Sequence, residues 1–418
     1  MIRENSENVF RSIRGAEAME ENRKLPLAGL RVIDASTVLA GPMLATYLGD
    51  FGADVIKVEH PAGDPLRNAG RQKDGESLEW KLVSRNKKPI TLNFSTPKGQ
   101  ELFHKLAETA DVVITNFRPK TLEKWNITYE SLSKDNPGLI VVKVSGFGED
   151  GPYKERPGFG TLAEAMSGFA QVNGFPDRGP VLPSFALADY ATALMGAYAT
   201  MVAIYERDHS EDGRGQYIDL PIYEALMGML GNQVMEYDQL GVIPGRKGNR
   251  TGWTVPRNLY ETKDGKWLAI SGTSQPIVER IFKAIGREDL ITDPKFATNQ
   301  KRLENVDELE AIIAGWMKGY TQDEILERFV HFEATIAPVY TVEDIVNDPH
   351  FNHRENIADV PDVHFGSVKM LNVAPKLSRT PGEIRHTGAE LGSYNETLYG
   401  ELGLTPEEIE GLKKDGII

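Results

Sequence analysis

Residues 30–38 read LRVIDASTV, a β-branched, apolar run with the character of a strand buried on both faces. Gly41-Pro42 follows and opens an apolar-periodic helix, since proline suits a first helical turn. Residues 54–60, DVIKVEH, then supply a second strand. The whole spans about 30 residues, the length of a βαβ unit. Working outward, Pro89–Phe94, Asp111–Phe117 (DVVITNF) and Leu139–Ser145 (LIVVKVS) read as further buried strands. Ser95-Thr96-Pro97 reads as the cap and first turn of a helix over Lys98–Ala110. Strands alternating with helices predict an α/β fold with a parallel, Rossmann-like sheet.

The pattern changes after Gly160. Thr161–Val172 and Asp189–Arg207 read as helices rich in Ala, Gly and Met, Gln216–Leu220 as a short strand, and Ile222–Leu240 as a helix. A Gly- and Arg-rich loop (PGRKGNRTGWT, 244–254) precedes a hairpin over Asn258–Gly272, turning at Lys263-Asp264-Gly265. Helices from Gln275 to Phe329 complete a smaller α+β domain. The resulting division is a polar N-terminal extension over 1–24, a large domain over 25–225, a small domain over 226–335, and a return to the large domain over 336–418.

The 418 residues suffice for two or three domains at about 100–200 residues each. Absence of cysteine excludes disulfide frameworks, thiol nucleophiles and cysteine-based metal sites, and fits a reducing, cytoplasmic setting. A net charge of −14 disfavours nucleic acid and anionic membranes as partners. The longest apolar stretch, Ala191–Tyr205, is shorter than the ~20 residues of a membrane span. Against this acidic background, the segment from Arg67 to Lys124 holds twelve Lys or Arg and seven Asp or Glu. Arg67, Arg71, Lys81, Arg85, Lys87, Lys88, Arg118, Lys120 and Lys124 therefore suggest an anion-binding surface for a phosphorylated, nucleotide-like ligand, or else a solvated face of mixed charge.

Several motifs carry less than they suggest. GFGEDG (146–151) matches a dinucleotide fingerprint, yet two acids stand where pyrophosphate would sit. It also leads into a loop rather than a helix N-terminus, so it reads as a turn. His350 and His353 lack a third metal ligand, and no Gly-x-Ser-x-Gly elbow is present. Asp189, within PSFALADYATA (183–193), begins a long apolar helix. Read locally it is an N-cap first and a nucleophile in a tight apolar site second.

The stretch LPLAGLRVIDASTVLAGPMLATYLGDFGADVIKVE (25–59) closely resembles the opening of family III CoA-transferases of the formyl-CoA and carnitine type. So do GDPLR (63–67), NKK (86–88), NFRP (116–119), SGFGEDGPY (145–153), LADY (187–190) and GRGQ (213–216), in the family's order. The resemblance implies a Rossmann-like large domain, a smaller α+β domain and an interlocked dimer, homomeric or heteromeric. It makes Asp189 the nucleophile that attacks an acyl-CoA thioester. A mixed anhydride forms first, CoA thiolate converts it to an aspartyl-CoA thioester, and an acceptor carboxylate then takes over the CoA. Coenzyme A is thus a substrate, with no permanently bound cofactor and no metal. The family's CoA contacts fall on Val38, Ala40, His60, Leu92, Ser95, Asn116, Phe117, Arg118 and Lys124.

There are departures from the family pattern. Leu39 replaces a glutamine of the formyl-CoA enzymes, and their four-glycine loop has no counterpart, which speaks against formyl and oxalyl groups. His60 and Ser95 replace long cationic side chains. Arg246, Lys247, Arg250 and Arg257 suggest instead a dicarboxylate acceptor such as succinate, because Arg commonly pairs with carboxylates. A racemase branch acting on 2-methylacyl-CoA opposes an Asp to a His, and here the His position is Phe159. An acyl-CoA-binding subunit of a heteromeric transferase is the non-catalytic alternative.

Overall fold

The computed structural model describes residues 25–418; the polar extension over 1–24 lies outside the described residues. Six parallel strands form the central sheet: β1 (Arg31–Ala35), β2 (Asp54–Glu59), β3 (Lys87–Thr91), β4 (Val112–Thr115), β5 (Ile140–Ser145) and β6 (Tyr217–Pro221). Their order is β3-β2-β1-β4-β5-β6. This is the doubly wound arrangement, and the order reverses between β1 and β4. Loops leaving the carboxyl ends of the strands diverge at that point and open a crevice.

Helix α1 (Ala40–Asp50) follows β1 and is buried over nearly its whole length. Helix α2 (Pro97–Glu108) is capped by Thr96, whose Oγ1 accepts from Gly99 N at 3.0 Å, at the cap position the sequence predicts. Helix α3 (Pro119–Lys124) begins directly after the β4 loop. The predicted helix over Thr161–Val172 is broken. Helix α4 (Gly160–Met166) stops because Gly168 turns into the left-handed region at φ 96°, and a separate turn of helix covers Phe169–Val172. Helix α5 (Leu187–His209) is continuous and buries Ala188, Ala191, Ala193, Gly196, Thr200 and Ala203 against α1 and the sheet. Among the described residues it is the one helix long and apolar enough to cross a membrane, and its small-residue face is that of a core helix.

The chain divides into two compact units: the larger holds the described chain up to Ser167, 183–230 and 353–418, and the smaller 168–182 and 231–352. In the smaller unit β7 (Arg257–Glu261) and β8 (Trp267–Ser271) form the expected hairpin, but β9 (Ile336–Pro338) pairs antiparallel with β8. Residues 336–338 therefore belong to this unit, and the return to the larger one begins at 353. Leu398, Tyr399, Ile409, Leu412 and Ile418 complete the core around Ile33, Ile56, Ile90 and Val113.

The strands of this sheet carry charges that ordinary burial would forbid. Asp34 on β1 is fully buried, as are Lys57 on β2 and Lys87 on β3. Lys87 Nζ lies 2.8 Å and Lys57 Nζ 3.6 Å from Asp34 Oδ2, and Lys57 also reaches Asp64 Oδ2 at 3.2 Å. Burial alone would raise the Asp34 carboxyl, but the two ammonium groups hold it below its usual range. Desolvation pushes Lys87 down to about 8, with Asp34 opposing the fall. Lys87 further donates to Pro42 O at 2.6 Å, Lys57 donates to Ser36 O, and Asp64 Oδ1 accepts from Val38 N at 3.3 Å. The network thereby ties three strands to the β1–α1 loop, where Val38 takes φ 67°, a costly conformation for a β-branched residue. Asp34→Ala would leave two buried cations facing each other. It is expected to destabilise the protein by about 3–5 kcal/mol in urea unfolding. A loss under about 1 kcal/mol would show that the network is not what supports this edge of the sheet.

Candidate active site

Most of the residues implicated by sequence sit on loops at the carboxyl edge of the sheet. His60 follows β2, Ser95 lies just beyond β3, and Asn116, Phe117 and Arg118 follow β4. Asn116 pins two of these loops together: its Oδ1 accepts from Thr37 N at 3.0 Å and its Nδ2 donates to Thr37 O at 2.8 Å. His60, Ser95 and Phe117 line one cleft of about 390 Å³, walled by Phe94 and Trp125. Phe94 stacks on Trp125 at 5.5 Å, and Phe117 meets Trp125 edge-on at 5.0 Å, giving the cleft an aromatic wall.

A second pocket of about 130 Å³ adjoins it through Phe117. Asn116 and Arg118 line it together with Lys143, Lys154, Arg156 and Phe159. Lys143 is buried and in contact with Glu149; desolvation pushes it down to about 8, with Asp219 and Glu155 opposing. Sequence reading missed this cationic lining. One signal was available, a lysine inside the otherwise apolar strand LIVVKVS. The GFGEDG segment is a turn, in which Gly148 N donates to Ser145 Oγ at 2.9 Å, and the next helix starts only at Gly160.

Other expectations are redirected. Leu92 is buried in the core, so its side chain faces away from solvent. Ala40 is buried at the start of α1, Val38 stands partly exposed on its strained loop, and exposed Lys124 at the end of α3 lines neither cleft. Four of the nine cations expected on an anion-binding surface are engaged elsewhere, while Arg71, Arg118, Lys120 and Lys124 are exposed. Arg67 is held by Glu59 in a two-pronged pair at 2.7 Å, Lys81 by Asp362 at 3.1 Å, Arg85 by Asp50 at 2.7 Å and Lys87 by Asp34. These cations are internal partners of buried acids, which a count along the chain cannot distinguish from surface charge. In the smaller unit Arg246, Lys247, Arg250 and Arg257 line one cavity of about 300 Å³, but Arg250 is neutralised by Glu310 at 2.5 Å and Asp307 at 2.7 Å. It is not free to receive a carboxylate.

Asp189 is not an N-cap. Ala186 holds that place on α5 without any side-chain bond, and Asp189 is the third residue of the first turn. Its carboxylate is pressed against α4: a Cβ on Gly160 would lie 1.9 Å from Asp189 Oδ2, so any larger residue there would displace the carboxylate. Glu164, on the same short helix, is buried and accepts from Ala188 N at 3.3 Å. Desolvation and then the Glu164 charge push Asp189 up to about 6, against the pull of its own backbone N–H. Phe159, the last residue before Gly160, lines the cationic pocket and is 69% exposed. The pocket wall and the residue that makes room for Asp189 are therefore consecutive.

A desolvated carboxylate beside a cation-lined crevice at the carboxyl edge of a parallel sheet suits covalent chemistry on an anionic ligand. The profile of CoA-transferase family III matches residues 27–395. The chain belongs to this family. It is 41% identical over 396 residues to succinyl-CoA–D-citramalate CoA-transferase of Chloroflexus aurantiacus, covering 94% of this chain and 98% of that one. The beta subunit of succinyl-CoA–L-malate CoA-transferase of the same species is 40% identical over 400 residues, with coverage of 94% and 98%. Among solved structures, a CAIB/BAIF family protein from Brucella suis superposes with a TM-score of 0.81 at 32% identity, covering 91% of this chain and all of that one.

The raised Asp189 carboxyl has a stability consequence for this CoA-transferase. Its folded value of about 6 exceeds the ordinary 3.8, so the ionised group opposes folding above pH 6 and the opposition vanishes below 3.8. Asp189→Asn is therefore expected to be more stable than the parent at pH 8, by about 1–3 kcal/mol, with the gain fading towards pH 4. Equal unfolding midpoints at pH 8 would contradict the desolvated placement.

Proposed function

We propose that this CoA-transferase moves CoA from succinyl-CoA to a second carboxylic acid of the dicarboxylate type, with Asp189 as covalent carrier. The observation that carries the reading is the Asp189 carboxylate wedged against the Cα of Gly160. At pH 7–8 a group titrating near 6 is almost wholly ionised, yet more basic than an exposed aspartate and so a better nucleophile. Asp189 attacks the thioester carbonyl; the C–O bond forms, the C–S bond breaks, and the electron pair leaves as CoA thiolate. Thiolate then attacks the aspartyl carbonyl of the anhydride, releasing the donor carboxylate and leaving CoA on Asp189. The acceptor carboxylate and the freed thiolate repeat both steps in reverse. Each intermediate hydrolyses, so the site must exclude water.

CoA is assigned to the two clefts at the carboxyl edge of the sheet. Arg118, Lys154 and Arg156 would meet its phosphates, and the aromatic wall of Phe94, Phe117 and Trp125 would face its base. The succinyl donor and dicarboxylate acceptor are supported by the names of the two Chloroflexus relatives. A racemase would need a proton-transferring partner for Asp189, and Phe159 cannot act as one. A dimer is also proposed. Leu194, Tyr198, Val202 and Tyr205 make an exposed apolar stripe along α5, with Tyr198 71% exposed, as a subunit contact would require. The partner is a second copy or, as the beta-subunit relative suggests, a related chain. A cytoplasmic setting is consistent with the cysteine-free sequence.

Incubation with succinyl-CoA and hydroxylamine is expected to convert Asp189 to a hydroxamate, seen by mass spectrometry in the peptide spanning Leu187–Tyr190. Asp189→Ala should fold, bind CoA and transfer nothing. Turnover of the parent should fall on the acid side with a midpoint near 6. Undiminished transfer by the alanine variant would sink the mechanism.

A further inference from the structure

The covalent route uses Asp189 and leaves a second buried carboxylate without a task. Glu164 stands four residues after Gly160 on α4, so both lie on one face of that helix. Gly160 makes room for Asp189, while Glu164, only 3% exposed, accepts from Ala188 N at the uncapped start of α5. Capping and the α5 dipole account for an anion on Ala188 N, but they do not account for its consequence, a second buried carboxylate set beside Asp189. A second acid beside the nucleophile instead adds repulsion that exists only while Asp189 is ionised. In the anhydride and in the CoA thioester the Asp189 carbonyl is neutral, and the repulsion is gone.

The elements packed on α5 present other titratable groups: Tyr47 and Asp50 on α1, with Arg85 bound to Asp50, Lys143 on β5, Tyr217 and Asp219 on β6, and Tyr223 and Glu224 on the helix over Ile222–Met227. Tyr190 follows Asp189 on α5 itself. Beside them Glu164, held on Ala188 N next to Asp189, adds its charge to the desolvation that raises the Asp189 carboxyl.

We propose that Glu164 is a positioning residue of the transferase: its buried carboxylate, held on the Ala188 N–H, raises the free Asp189 carboxylate in energy relative to its acylated forms and so drives the enzyme towards the covalent state. The inference rests on Asp189 being the nucleophile. When the thioester is attacked, the negative charge leaves the Asp189–Glu164 pair and departs with CoA thiolate, which turns repulsion into driving force.

Two variants separate charge from capping. Glu164→Gln keeps an acceptor for Ala188 N and removes the charge; Glu164→Leu removes both. Each is compared with the parent by hydroxylamine trapping under limiting succinyl-CoA and by the pH dependence of turnover. Both variants are expected to lose several-fold in trapped Asp189 and to move the acid limb of the pH profile about 1 unit lower. If Glu164→Gln matches the parent in both readouts while Glu164→Leu merely melts earlier, Glu164 is a cap and the proposal is wrong. If the unsubstituted protein traps nothing at Asp189 with any acyl-CoA donor, the covalent mechanism fails and this inference falls with it.

Discussion

The buried charge cluster of Asp34, Lys57, Lys87 and Asp64 is the constraint on which the carboxyl edge of the sheet depends. Four ionised side chains inside a parallel sheet are tolerable only if each finds partners of opposite sign and the remaining polar atoms are met. Here they are: Asp34 takes Lys57, Lys87 and the Ser36 hydroxyl, while the two ammonium groups also bond the carbonyls of Ser36 and Pro42. Those carbonyls belong to the β1–α1 turn and to the first turn of α1. An apolar core of the same volume would have been no less stable, but it would not have bound the backbone of that turn. The cluster buys a loop geometry, with Val38 held left-handed at the point where strand order reverses.

A chain of further contacts extends this anchoring outward. Asp64 N donates to Glu59 at 2.9 Å, Glu59 grips Arg67, and Arg67 lies 3.7 Å over the Trp80 ring. On the other side Asn116 clasps Thr37, joining the β1 and β4 loops. Cations that looked like ligand contacts are in this way consumed in building the walls. Arg118, Lys154 and Arg156, which line a pocket, come from the loops after β4 and β5 further along the sheet edge.

At Asp189 the logic is inverted. Around Asp34 opposite charges are gathered to stabilise an anion, whereas around Asp189 burial and a like charge make the anion less comfortable. Glycine at 160 permits the contact and Glu164 sharpens it. Part of the stability supplied by the core is thus offset by a carboxylate that burial and a like charge make costly to ionise.

Strand periodicity, the proline-opened helices and the Thr96 cap were legible because they depend on local spacing, and the parallel α/β class follows from their alternation. The helix breaks at Gly168 and between Met227 and Gln233 were not, since a glycine in a helical pattern does not announce a positive φ. Asp189 was visible as a carboxylate opening an apolar helix, and the chain's resemblance to a family gave it a role. What only the tertiary structure decided is environment: which lysines are buried partners and which are exposed, that Asp189 lies inside the first turn against Gly160, and that Glu164 shares its site. Those properties arise between residues distant in the chain, where desolvation and Coulomb interaction act through space and leave no period in the sequence.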